Sequence, residues 1–134
     1  MNYVRVQIVK LMIAHFGEDD RRIEHALKVL IHSERIRDGR EDCDLEILIA
    51  AALLHDVGIK PSEEDLGYNN GKTQEQYGPP LAEDMLRSID FPPEKIKIVS
   101  RIIGNHHSPS RYDYTELAVL KEADRIVNRE DTGD

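Results

Sequence analysis

The sequence has no tryptophan, only two phenylalanines and a single cysteine, and no apolar run near the ~20 residues that span a bilayer. The lone Cys43 excludes an internal disulfide framework. Scarce aromatics mean that a core must be packed from Leu, Ile, Val and Ala, a helix-rich profile. Positive charge is also in short supply: 18 Lys and Arg stand against 26 Asp and Glu, a formal charge of −8. The field of the whole molecule therefore repels nucleic-acid duplexes and anionic membranes, and neither is expected as a partner. Any phosphate has to be attracted locally. No GxSxG, GxxxxGK[ST] or GxGxxG motif occurs, which removes the nucleophile elbow, the P-loop and the dinucleotide fold. Cys43 sits among acids that raise its pKa and disfavour a reactive thiolate. The N-terminal stretch MNYVRVQIVKLMIAHFGEDD lacks the cleavage site of a secretory signal, and a reducing cytoplasm is the expected location.

What is present is helical spacing. At 134 residues the chain is of ordinary single-domain size, and one all-α bundle of about six helices is expected over residues 1–134. Val6, Val9, Ile13 and Phe16 suit a first amphipathic helix that stops near Gly17. Asp19 or Asp20 can cap a second, from Arg21 to about Arg37, with one apolar line through Ile23, Ala26, Leu27 and Leu30. A second line runs His25, Val29, His32 and Ile36. Asp42 or Asp44 can cap the most apolar helix, Leu45 to His55, whose run Leu45 to Leu54 is interrupted by Glu46 and reads as buried. Val57 to Gly78 is rich in Gly, Asn and charge, and a flap beside the site is expected there. Pro79 or Pro80 can start a helix through Leu81, Ala82, Met85, Leu86 and Ile89. After Pro92 and Pro93 comes another with Ile96, Val99, Ile102 and Ile103. Asp113 can cap the last, with Leu117, Leu120, Ala123, Ile126 and Val127. There is no repeat, no low-complexity tract and no convincing strand.

Four polar residues sit where such helices bury their apolar faces. His55 and Asp56 close the most apolar helix, where a charged pair is costly unless something satisfies it. Alone, the doublet reads as a helix C-cap followed by a turn. Asp124 falls on the stripe of Leu117, Leu120 and Val127, where a buried carboxylate needs a partner: a cation, or an Arg or Lys from elsewhere. His25 lies on a helix face with Val29 and Arg22, and a core hydrogen bond would account for it as well as a metal. Neutral nitrogen with charged oxygen is a donor set suited to Mn, Fe, Co, Ni or Zn, and less so to Mg.

The order H, HD, D on successive helices resembles the HD superfamily of metal-dependent phosphohydrolases. The matching stretches are RRIEHALKVL, IAAALLHDVGIK, GPPLAEDML, IIGNHHSP and LKEADRI, spread over about four-fifths of the chain. The resemblance implies an HD-type helical bundle, with His25, His55, Asp56 and Asp124 as ligands of one divalent metal. In the two-metal version of the family a further His precedes a GA-like helix start and a His-His pair follows. His106 and His107 look like that pair, so a second ion is allowed. The intermediate His is missing at YGPPL, however, and Glu75, Glu83 or water would have to replace it.

The expected activity is hydrolysis of a phosphomonoester or phosphodiester, on a nucleotide or other small phosphorylated metabolite. A suitable metal can lower the pKa of bound water from 15.7 to about 7, giving a hydroxide nucleophile at neutral pH. Asp56, His106 and Lys60 are the candidate catalytic residues, His106 as a proton donor and Lys60 through its place in HDxGxK. Lys60, Arg22, Arg125 and His107 are candidates for substrate binding, since Arg matches phosphate with two prongs and Lys with a movable charge. His15 and His32 read as structural or exposed. The competing expectation is a catalytically silent HD domain that binds metal and nucleotide as a sensor or partner module. A paired-iron oxygenase of the same fold would need a fuller ligand set, and a plain helical adaptor would use the same residues as core ion pairs. A homodimer is compatible with the composition.

Overall fold

The core helix is the one that the sequence makes apolar on every side. In the computed structural model, which describes residues 3–131, seven helices follow one another: α1 (Tyr3–Phe16), α2 (Asp20–Arg37), α3 (Leu45–Leu54), α4 (Ile59–Leu66), α5 (Gly71–Arg87), α6 (Pro93–Ile103) and α7 (Thr115–Asp131). No strand occurs among the described residues. Every residue of α3 from Ile47 to Leu54 is buried, and α3 packs against α1, α2, α6 and α7. A helix with no polar face has to take the centre of a bundle. Asp44 caps its start by accepting from Ile47 N at 3.1 Å. Its far end therefore carries His55 and Asp56 into the middle of the molecule.

The flanking helices meet α3 through their own apolar stripes. Helix α2, capped by Asp19 on Arg22 N, buries Ala26, Val29, Leu30 and Ser33. Helix α7 buries Leu117, Leu120, Ala123 and Val127, and α2, α3 and α7 pack on one another pairwise. This three-way packing sets His25, the His55–Asp56 doublet and Asp124 at one junction. None of the helices among the described residues is long and apolar enough to cross a membrane.

Four expectations need correction. Helix α1 buries Ile8, Met12 and Phe16, while Val6 and Ile13 are exposed; the helix is apolar on nearly all sides, so spacing alone does not choose its inner face. The segment from Val57 to Gly78 is no open flap, because it forms α4 and the first two turns of α5. Pro61 lies in the first turn of α4, where a missing N–H costs nothing. Helix α5 starts before its prolines, at a capping box in which Asn70 and Thr73 satisfy each other's backbone N–H groups. Pro79 and Pro80 thus lie inside a helix. Finally, Asp113 is not the residue that precedes α7; Tyr114 is, and its carbonyl accepts from Leu117 N and Ala118 N.

Candidate metal centre

At the junction of α2, α3 and α7 four side-chain atoms form a closed ring. His25 Nε2 lies 3.0 Å from Asp124 Oδ1 and 3.4 Å from Asp56 Oδ2; His55 Nε2 lies 3.3 Å from each of the same two oxygens. Neighbouring ligands around an ion bonded at roughly 2.0–2.3 Å stand about this far apart. The imidazoles are turned inward by what holds their outer nitrogens. His55 Nδ1–H donates to Ala52 O at 2.7 Å, and His25 Nδ1 lies 3.4 Å from Asp131 Oδ2 at the end of α7. Such outer partners fix the tautomer that leaves the Nε2 lone pair for a metal.

That ring of acceptors is unfavourable without a positive charge inside it. His55 is fully buried, and its Nε2 has no hydrogen bond of acceptable geometry although two carboxylates lie within ion-pair distance. Burial by itself would lower the His55 pKa, but the Asp56 charge and the close Asp124 carboxylate outweigh it and hold the imidazole well above its ordinary range. The carboxylates answer in the opposite sense. Burial would raise Asp56, yet the charge on His55 and the approach of His106 hold it well below the usual carboxylate range. Burial would likewise raise Asp124, whose contacts with His25 and His55 hold it low. The donor set and the orphaned nitrogen fit a divalent cation, for which a proton on His55 is the substitute.

A family model of the HD domain matches residues 22–129. The chain belongs to the HD family. Its fold is similar to the crystal structure of a predicted HD superfamily hydrolase from an uncultured Thermotogales bacterium, at 28% identity and a TM-score of 0.70, covering 94% of this chain and 74% of that one. Among curated proteins none matches significantly. HD domains bind divalent metals and typically hydrolyse phosphate esters, although some are non-catalytic.

In this HD domain His106 extends the constellation from the end of α6. It is buried, its Nδ1–H donates to Ile103 O at 2.6 Å, and its unpartnered Nε2 lies 3.8 Å from Asp56 Oδ1. Asp56, His106 and His107 place one ligand atom each within 4.8 Å of one another, as His25, His55 and Asp56 do. His107 differs in its partners: its Nε2 meets Gln74 Oε1 at 2.6 Å. Burial and the neighbouring His106 push its pKa down.

The centre opens into a cleft of about 500 Å³ lined by Asp19, Arg21, Arg22, His25, Asp56, Asn128 and Asp131. Arg22 is there as expected, held to Asp19 at 2.7 Å. Lys60 is not: it lines a separate crevice with His15, Pro61, Glu64 and Leu81. Arg125 is exposed on the outer side of α7, 3.7 Å from Glu122. Sequence reasoning missed Arg21, Asn128 and Asp131. A signal existed for the last two, since Asn128 and Asp131 follow Asp124 by four and seven residues and share its helix face.

Proposed function

We propose that this chain is a metal-dependent phosphohydrolase in which His25, His55, Asp56 and Asp124 hold one divalent ion, and that its substrate is a small phosphomonoester or phosphodiester, a nucleotide being the class the cleft suits best. The observation that carries this reading is the four-atom ring at the floor of a cleft with two arginines on its rim. His25, His55, Asp56 and Asp124 would hold a transition metal ion there, which would supply Lewis acidity and a means of activating water near neutral pH.

The remaining work falls to the chain's own groups. Arg21, exposed at the mouth, offers a guanidinium fork to phosphate oxygens in a protein that otherwise repels them. Arg22, tied to Asp19, keeps a fixed orientation beside it. Asn128 adds an uncharged amide at the same wall. His106 Nε2 can carry a proton to or from the reacting group, since its Nδ1 is committed to Ile103 O and its approach to Asp56 fixes its direction. The volume of about 500 Å³ admits a mononucleotide or sugar phosphate.

The test is phosphate release from a panel of nucleotides, sugar phosphates and a generic aryl phosphate with Mn, Co, Ni, Fe or Mg, using Asp56→Ala as the control. Turnover that needs the metal and disappears in the control is expected. A filled metal site without turnover of any substrate would point instead to a silent HD domain acting as a sensor.

A further inference from the structure

Two sets of candidate ligands share Asp56, and distance alone makes them equivalent. Their hydrogen bonds do not. We infer that a chain of side-chain amides withdraws His107 from metal binding, so that this HD domain holds a single ion; the inference rests on the metal site proposed above.

The direction of each bond in that chain is forced. Glu63 Oε2 is a carboxylate oxygen and can only accept, so the contact at 2.7 Å makes Asn69 Nδ2 the donor. Asn69 must then turn its Oδ1 the other way, where Gln74 Nε2 donates to it at 3.0 Å. This leaves Gln74 Oε1 facing His107 Nε2 at 2.6 Å, and an amide oxygen accepts. His107 therefore carries its proton on Nε2, and that nitrogen has no lone pair to give a cation. Its other nitrogen lies beside the start of α5, where Gly71 is so close that a Cβ there would sit 2.9 Å from His107 Cβ and 3.5 Å from Nδ1. His55 and His106 differ, because both spend Nδ1–H on a backbone carbonyl and turn an Nε2 with no hydrogen-bond partner inward.

Neither carboxylate that could replace a missing ligand is free. Glu75 Oε2 accepts from His107 N, Ser108 N and Ser108 Oγ at 3.0, 2.9 and 2.8 Å, so it holds the loop after α6. Glu83 is turned into the α5–α6 groove, where it accepts from Ser100 and Arg87. Gln74 itself is only 8% exposed and held at both ends of its amide. His107 is thus a hydrogen-bond donor through Nε2 beside the centre, and Asp56 and His106 by themselves are too few to fix a second ion.

Two readouts test this without any measurement of turnover. Long-range proton–nitrogen NMR on the metal-free full chain reports the His107 tautomer, and the Nε2–H form is expected; an Nδ1–H form would overturn the inference. Calorimetric titration of the same metal-stripped chain with Mn²⁺ is expected to give one ion per chain, and two ions lost to one in His107→Ala would overturn it. Gln74→His removes the amide acceptor and sets an imidazole in its place, so the stoichiometry should rise to two; a variant that keeps its helical spectrum and still binds one ion would deny Gln74 this role. A chain that binds no ion would sink the metal site itself, whereas the tautomer measurement would still judge the hydrogen-bond chain on its own.

Discussion

His25 Nε2 stands 3.0 Å from Asp124 Oδ1, a contact between residues 99 positions apart that closes α2 onto α7. The same oxygen lies 3.3 Å from His55 Nε2, so one carboxylate faces two imidazoles. Asp124→Asn keeps the shape and removes the charge. Losing even an outer-shell partner costs about 10–100-fold in metal affinity or activity, and this position is nearer the ion. Mn²⁺ affinity and kcat/KM should both fall by more than about 100-fold, read by calorimetry and phosphate release. An unchanged affinity would remove Asp124 from the ligand set.

Metal binding should expel a proton. In the metal-free chain His55 is held charged, its pKa raised by Asp56 and Asp124 against the opposing effect of burial. A ligating imidazole must be neutral. Near pH 7 the titration should therefore release about one proton per ion, and affinity should weaken as pH falls because proton and metal compete for the same nitrogen. Above the raised His55 pKa the release should fade and the affinity level off. Titrations in two buffers of different ionisation enthalpy measure the release directly; identical heats in both would contradict the charged His55.

Arg21 and Arg125 separate the observed cleft from the one expected from sequence. Arg21 lines the cleft, whereas Arg125 lies on the outer surface beside Glu122. Arg21→Ala should raise KM for a phosphorylated substrate by about 10-fold or more, which corresponds to at least about 1.4 kcal/mol, close to the lower end of the roughly 1.5–3 kcal/mol of a hydrogen bond to a charged group. Arg125→Ala should leave KM and kcat within twofold. A reversal of the two effects would place the phosphate on the other side of α7.

The parts of the centre that were legible in the sequence are those where polarity conflicts with an apolar pattern. His55 and Asp56 end the most apolar helix, and Asp124 interrupts the stripe of α7, so burial could be inferred before any contact was known. Position in space was less legible. Lys60 follows Asp56 closely in the chain, but the turn at Gly58 starts α4 at Ile59 and sends the side chain toward His15 and Glu64. Gln74 carries no signal, since a polar residue among polar neighbours gives no hint that tertiary packing will bury it. The prolines at positions 79 and 80 suggested a helix start because Pro suits a first turn; the Asn70–Thr73 capping box begins the helix earlier and packing tolerates the lost N–H groups.

The close approach of α4 and α5 makes Gly58 a test of the packing that positions Gln74. Its φ of −73° is ordinary, so the requirement for glycine is one of space. A Cβ at position 58 would lie 2.6 Å from Gly78 N, 2.7 Å from Gln74 O and 2.9 Å from Gly78 Cα, all backbone atoms that no rotamer change can clear. Gly58→Ala must push the start of α4 off α5. Overpacking of this kind costs about 1–3 kcal/mol, or roughly 3–15 °C in Tm for a domain of this size. At Gly39, with φ of +80° and nothing within 4 Å of an added Cβ, alanine meets only the left-handed backbone cost of about 1–2 kcal/mol. Thermal unfolding compares them, and metal titration separates them further: Gly58→Ala should also loosen the Gln74–His107 contact, whereas Gly39→Ala should leave it intact. A Gly58→Ala chain with unchanged Tm would mean that the two helices are farther apart than 2.6 Å contacts allow.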